Sequence, residues 1–147
     1  MTPERTRRFR HPTLSLAAFA LCTALAGCGQ KGPALYPVTG KVTGADGKPL
    51  EHATVVFHPL DSADPNAVKP HGKVAADGTF TLTTTTAGDG APPGEYRVTV
   101  EQWLSSGKGD DPPVNRLPAR YGKPDQSGLT ATVDAAPTEL KPITVKR

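Results

Sequence analysis

From residue 38 onward, apolar side chains recur at every second position. Val38, Gly40 and Val42 share one phase, as do Ala53, Val55 and Phe57, then Phe80 and Leu82, then Tyr96, Val98 and Val100. Leu129, Ala131 and Val133 repeat the pattern, and Ile143 and Val145 close it. A period of two places one face of an extended strand in a core and the other in water. The intervening residues are mostly Thr, Lys, Arg and Glu, as a wet face requires. Threonine is abundant, notably at Thr81 and Thr83 to Thr86, and its branched β-carbon favours strands. The pairs Asp46-Gly47, Asp77-Gly78, Asp89-Gly90 and Pro93-Gly94 punctuate these runs as tight turns. With Gly72–Ala76 counted as a further strand, the pattern predicts about seven strands. No stretch beyond residue 28 shows a 3.6-residue stripe, and 16 prolines with 15 glycines oppose long helices. The expectation is one all-β domain over residues 38–147, an Ig-like or prealbumin-like β-sandwich.

The N-terminus follows another grammar. Arg5, Arg7, Arg8 and Arg10 form a basic region, and Leu14 to Ala26 form an uncharged apolar run. Leu25-Ala26-Gly27-Cys28 follows, with small residues where a processing enzyme needs them. The tetrapeptide resembles a bacterial lipobox. That resemblance implies cleavage before Cys28, removal of residues 1–27, and a diacylglycerol on the Cys28 thiol. The alternative, a membrane-spanning or core helix, is disfavoured because spanning needs about 20 apolar residues. Thr6-Arg7-Arg8-Phe9-Arg10 partly resembles a twin-arginine signal, but Phe9 comes one residue early and no Leu-Lys follows, so the general secretory route is expected. Gly29 is not the aspartate that retains some lipoproteins at an inner membrane, which leans toward an outer one. Residues 28–37 are then a lipidated cysteine and a tether. About eight such residues reach at most about 28 Å, which keeps the domain close to the membrane.

Processing changes the charge. The whole chain carries 17 basic and 14 acidic residues. Removing four arginines and one glutamate leaves 13 of each in the mature chain. No basic patch then argues for nucleic acid. Cys22 departs with the signal and Cys28 becomes a thioether, so no disulfide or thiolate site is expected.

Gly40-x-Val42, Asp46-Gly47-Lys48-Pro49-Leu50 and Ala53-x-Val55 resemble the opening of a carboxypeptidase regulatory-like domain. Asp77-Gly78-x-Phe80-x-Leu82 and Pro93-Gly94-x-Tyr96-x-Val98-x-Val100 continue that pattern in order, with Tyr96 similar to a turn-capping core tyrosine. Leu117-Pro118-x-x-Tyr121 and Ser127-Gly128-Leu129-Thr130-Ala131-Thr132-Val133 further resemble small bacterial lipoproteins built on this domain. The resemblance implies a transthyretin-like sandwich and a non-catalytic folding or adhesion module, with no cofactor. Two catalytic relatives of that fold fail on residues. The chain ends Pro142-Ile143-Thr144-Val145-Lys146-Arg147, unlike the Tyr-Arg-Gly-Ser tail of hydroxyisourate hydrolases. Tyr36, Tyr96, Tyr121, His52, His58 and His71 lack the His-x-His pair of intradiol dioxygenases.

Candidate chemistry is sparse. His58, at a strand end, and His71, beyond the 61–70 loop, would approach each other if that loop closes a hairpin. With Asp61 or Asp64 they form the weak metal candidate; two solvated histidines is the simpler reading. Asp61, Asp64 and Asn66 lack the spacing of a calcium loop, and Pro65 suits an ordinary turn. Glu95 and Glu101 face outward beside Arg97, where cross-strand charge pairs account for them. Trp103 continues the outward phase of Arg97, Thr99 and Glu101, next to Leu104. An exposed ring there would stack on a sugar or anchor a protein. The expectation, however, is that the long 105–126 loop folds back over it, with Leu117 and Tyr121 pinning that loop to the sandwich. Trp103, Leu104 and Tyr121 are the candidate binding residues. The chain thus reads as a membrane-anchored envelope lipoprotein with a non-enzymatic structural or protein-interaction role. The alternative is a carbohydrate- or small-ligand-binding module using Trp103, ahead of an envelope enzyme or metal-binding protein.

Overall fold

The computed structural model describes residues 32–62, 67–107 and 111–146. The lipobox and Cys28 lie outside them, as do Asp64, Pro65 and Asn66. The domain is an all-β sandwich. Its first sheet has β1 (Val38–Gly44) at the centre, flanked by antiparallel β4 (Thr79–Thr81) and parallel β10 (Ile143–Val145). Short β9 (Thr138–Glu139) also pairs with β1, at its start. The second sheet runs β3 (His71–Lys73), β2 (Thr54–Pro59), β5 (Gly94–Glu101) and β8 (Thr130–Val133), antiparallel throughout. Reciprocal backbone bonds between His71 and Thr83 stitch the β3 edge to the chain leaving β4.

These seven longer strands are those the alternation predicts, and their inward positions carry the core. Val38, Val42, Val55, Phe57, Leu82, Val98, Val100 and Val145 are fully buried. Phe57 is central: its ring meets Phe80 at 6.3 Å and Tyr96 edge-on at 5.7 Å. The Tyr96 hydroxyl donates to the Pro92 carbonyl at 2.7 Å, so the ring fills the core while its polar end closes the preceding turn. Gly40 stands opposite Phe80 across β1 and β4, and a Cβ there would lie 2.6 Å from the Phe80 ring. The glycine therefore makes room for the aromatic.

Two features exceed the expectation. The C-terminal segment supplies β9 as well as β10. The 105–126 segment is not an unstructured loop: β6 (Trp103–Leu104) pairs with β7 (Val114–Asn115), and a 3-10 turn follows at Ala119–Gly122. As expected, Leu117 and Tyr121 are buried in the core. The Tyr121 hydroxyl accepts from the Lys146 backbone N–H and from the Arg120 guanidinium, both at 2.9 Å. That bond ties the segment to the chain just past β10.

Candidate functional site

The period-two phase of β5 continues past its end. Glu101 points outward, Gln102 is buried, and Trp103 points outward again. Gln102 locks this register. Its side-chain amide donates to the Glu51 carbonyl at 2.8 Å, its N–H donates to Asn115 Oδ1 at 3.0 Å, and its carbonyl accepts from Arg116 N–H at 2.8 Å. Asn115 Oδ1 also accepts from Leu117 N–H at 3.1 Å. These bonds satisfy the backbone and amide groups at the base of the β6–β7 ribbon, while two of its apolar side chains stand in solvent. Trp103 is 55% exposed and Val114 48%.

The segment that was expected to cover Trp103 instead pairs beside it. Asn115 stands directly across from Trp103, and Val114 across from Leu104. A shallow cavity of about 560 Å³ adjoins the ring, lined also by Glu101, Pro113, Asn115 and Lys123. Leu104 is half-buried. Tyr121 is a correction to the candidate binding set: only 4% exposed, it is a core residue that anchors the segment. Burial pushes its phenol up, but the Lys146 N–H and the Arg120 guanidinium outweigh that and hold it below the ordinary tyrosine range.

The remaining candidates fall elsewhere. His58 Nε2 is 3.1 Å from Thr99 Oγ1, and exposed His71 holds the Lys69 carbonyl through Nδ1 at 3.3 Å. Burial first, and then the Lys69 charge, push the His58 imidazole below its ordinary value. No group of three or more metal-ligating side chains occurs among the described residues. Arg97 pairs with Asp125 from the 105–126 segment rather than with a strand neighbour. Glu95 and Glu101 stand across from Thr132 and Thr54, so the expected cross-strand charge pairs are replaced.

A second concavity, of about 740 Å³, was not singled out from the sequence. It lies where the chain enters the sandwich, lined by Pro33, Leu35, Pro59, Val68, Pro92 and Tyr96 among others. Leu60 and Val68 were the available signal, because both fall outside the alternating runs. They are 42% and 66% exposed.

No family model matches the chain, and no curated protein does. Among solved structures it is similar to a Pseudomonas aeruginosa protein proposed to bind carbohydrate, with a TM-score of 0.41 and 13% identity over 80% of this chain and 91% of that one. It is also similar to a 9R-lipoxygenase from Cyanothece, with a TM-score of 0.42 and 17% identity over 76% of this chain but 16% of the enzyme. Neither likeness carries an activity over to this chain.

Proposed function

We propose that the chain is a lipid-anchored envelope protein whose sandwich is a non-enzymatic binding module, presenting Trp103 and Val114 to a protein partner. The exposure of the Trp103 ring on a register-locked ribbon carries this reading. A large exposed aromatic on a backbone whose register is fixed offers a wide contact area to a partner. The lipobox resemblance of Leu25-Ala26-Gly27-Cys28 supports the anchor. The regulatory-like motifs support the module, since their residues occupy turn and core positions: Gly78 has φ +87°, and Phe80, Leu82, Tyr96 and Val98 are buried. Crosslinking in intact cells followed by capture should enrich one envelope protein, and Trp103→Ala should remove it. A capture with no enriched protein counts against the reading.

A second reading rests on the company the ring keeps. Glu101, Asn115 and Lys123 surround the same cavity, and an aromatic face with polar groups at its edge suits a sugar. Binding on a glycan array that falls at least about tenfold in Trp103→Ala, the 1.4 kcal/mol expected for a lost stacking contact, would establish it instead.

A further inference from the structure

The four large apolar side chains exposed among the described residues fall in two pairs, Leu60 with Val68 and Trp103 with Val114. Val68 lines the 740 Å³ concavity, and Leu60 stands between its lining residues Pro59 and Asp61. Trp103 and Val114 line the other cavity. Strand β5 separates them. Its first residues, Gly94 to Tyr96, line the first concavity, and it ends at Glu101, two residues before Trp103. Eight extended residues put these poles about 23 Å apart.

We infer that the Leu60–Val68 pole seats on the bilayer that holds Cys28, so that the Trp103 ribbon faces away from the membrane. The inference rests on the lipid-anchor reading above. Its main argument is chain length. Gly32 already lines the concavity, and Cys28 precedes it by four residues, a reach of at most about 14 Å. A lipidated Cys28 would keep Gly32 within that reach of the headgroups in any conformation of the tether. Reach alone leaves the sandwich free to rotate, and the apolar pole removes that freedom. Pro33, Leu35, Pro59, Pro92 and Val68 meet the interface as one surface, backed by buried Tyr96. Asp61 and Glu95 are the charged groups of the lining, which holds no lysine or arginine among the described residues. The seat is therefore apolar, and zwitterionic lipid suffices for it.

The mature chain has no cysteine but Cys28, so an introduced cysteine gives a unique reporter. Exposed Thr85 lines the same concavity and leaves Leu60 and Val68 intact. The test uses the lipidated Thr85→Cys protein, labelled with an environment-sensitive dye and reconstituted into phosphatidylcholine vesicles carrying a nitroxide near the headgroup. The dye should blue-shift and be quenched at least twofold, while the single tryptophan, Trp103, stays unquenched. Adding Leu60→Asp and Val68→Asp should reverse the blue shift and lower the dye quenching without releasing the protein. A dye no more quenched than Trp103, or equal quenching of both, on protein carrying one label and an acylated Cys28 overturns the seating. Concentration-dependent shielding of the dye in detergent assigns the pole to a second copy and also overturns it. Two labels per chain with no vesicle partition means that Cys28 is unlipidated, and the anchor reading itself fails.

Discussion

His58 stands on β2 across from Arg97, half out of water, with its ring against the Thr99 hydroxyl. Its position was readable from the alternation; its chemistry was not, because Thr99 arrives from a strand 41 residues away. Burial and the Lys69 charge both disfavour the imidazolium, so the folded pKa lies below the unfolded one. Between the two values the unfolded chain binds more protons, and stability rises with pH. The contribution of His58 is therefore complete above about pH 6.5 and is lost as pH falls through the folded value. Thermal midpoints measured from pH 7.5 down to 5 should fall in the native protein and fall less in His58→Gln, which keeps a group able to bond Thr99. Parallel profiles would remove His58 as the cause. Asp77 and Asp89, whose carboxylates accept hydrogen bonds within their own turns, are held below the ordinary aspartate range. Their share is lost only at lower pH, which keeps the two effects apart.

At the level of elements, residues that repeat were legible and residues that close contacts across the chain were not. The inward series Val38–Val42, Ala53–Phe57 and Tyr96–Val100 could be read as strands because period two is a local property. The β6–β7 ribbon is only two residues on each side, too short to show a period, and its register depends on Gln102 reaching Glu51. Trp103 was accordingly placed in the right phase but under the wrong cover. Tyr121 was rightly expected to pin the segment, yet the same burial withdraws it from any surface. The Asp89-Gly90 turn shows the difference between a turn signal and its structural reason. Asp89 accepts from the backbone N–H groups of Thr84, Thr85 and Thr86, and Gly90 takes φ +87°. A Cβ on Gly90 would lie 1.7 Å from the Tyr36 carbonyl oxygen, the group that pairs with Ala91 N–H at 3.0 Å. Gly47 has a similar φ of +77° but open space around it. Gly47→Ala should therefore lose about 1 kcal/mol from backbone conformation alone. Gly90→Ala should lose at least about 2 kcal/mol more, because the Tyr36–Ala91 pairing must also break. Denaturant midpoints at unchanged m-value measure both. Equal losses would mean that the approach of Tyr36 is not a constraint.

For the whole molecule, the balance of charge decides how an anchor could be recognised. Thirteen basic and 13 acidic residues from Cys28 onward leave no net charge to draw the domain to an anionic surface. Stable membrane association is then expected to be hydrophobic. The exposed apolar pole alone is small, whereas each buried acyl CH₂ contributes about 0.8 kcal/mol, and two or three chains make release slow. Two treatments separate the sources. A high-salt wash screens surface charge and should leave the protein with the membrane fraction, while detergent should release it. Cys28→Ala should put the sandwich in the soluble fraction or leave an uncleaved precursor. The soluble form should unfold at the same temperature as detergent-solubilised native protein, because none of the described core residues depends on the anchor. A Cys28→Ala protein that is processed normally and still sediments with lipid would show that the association comes from elsewhere. Extraction of the native protein by salt would show that charge, despite its balance over the chain, is arranged to bind the surface.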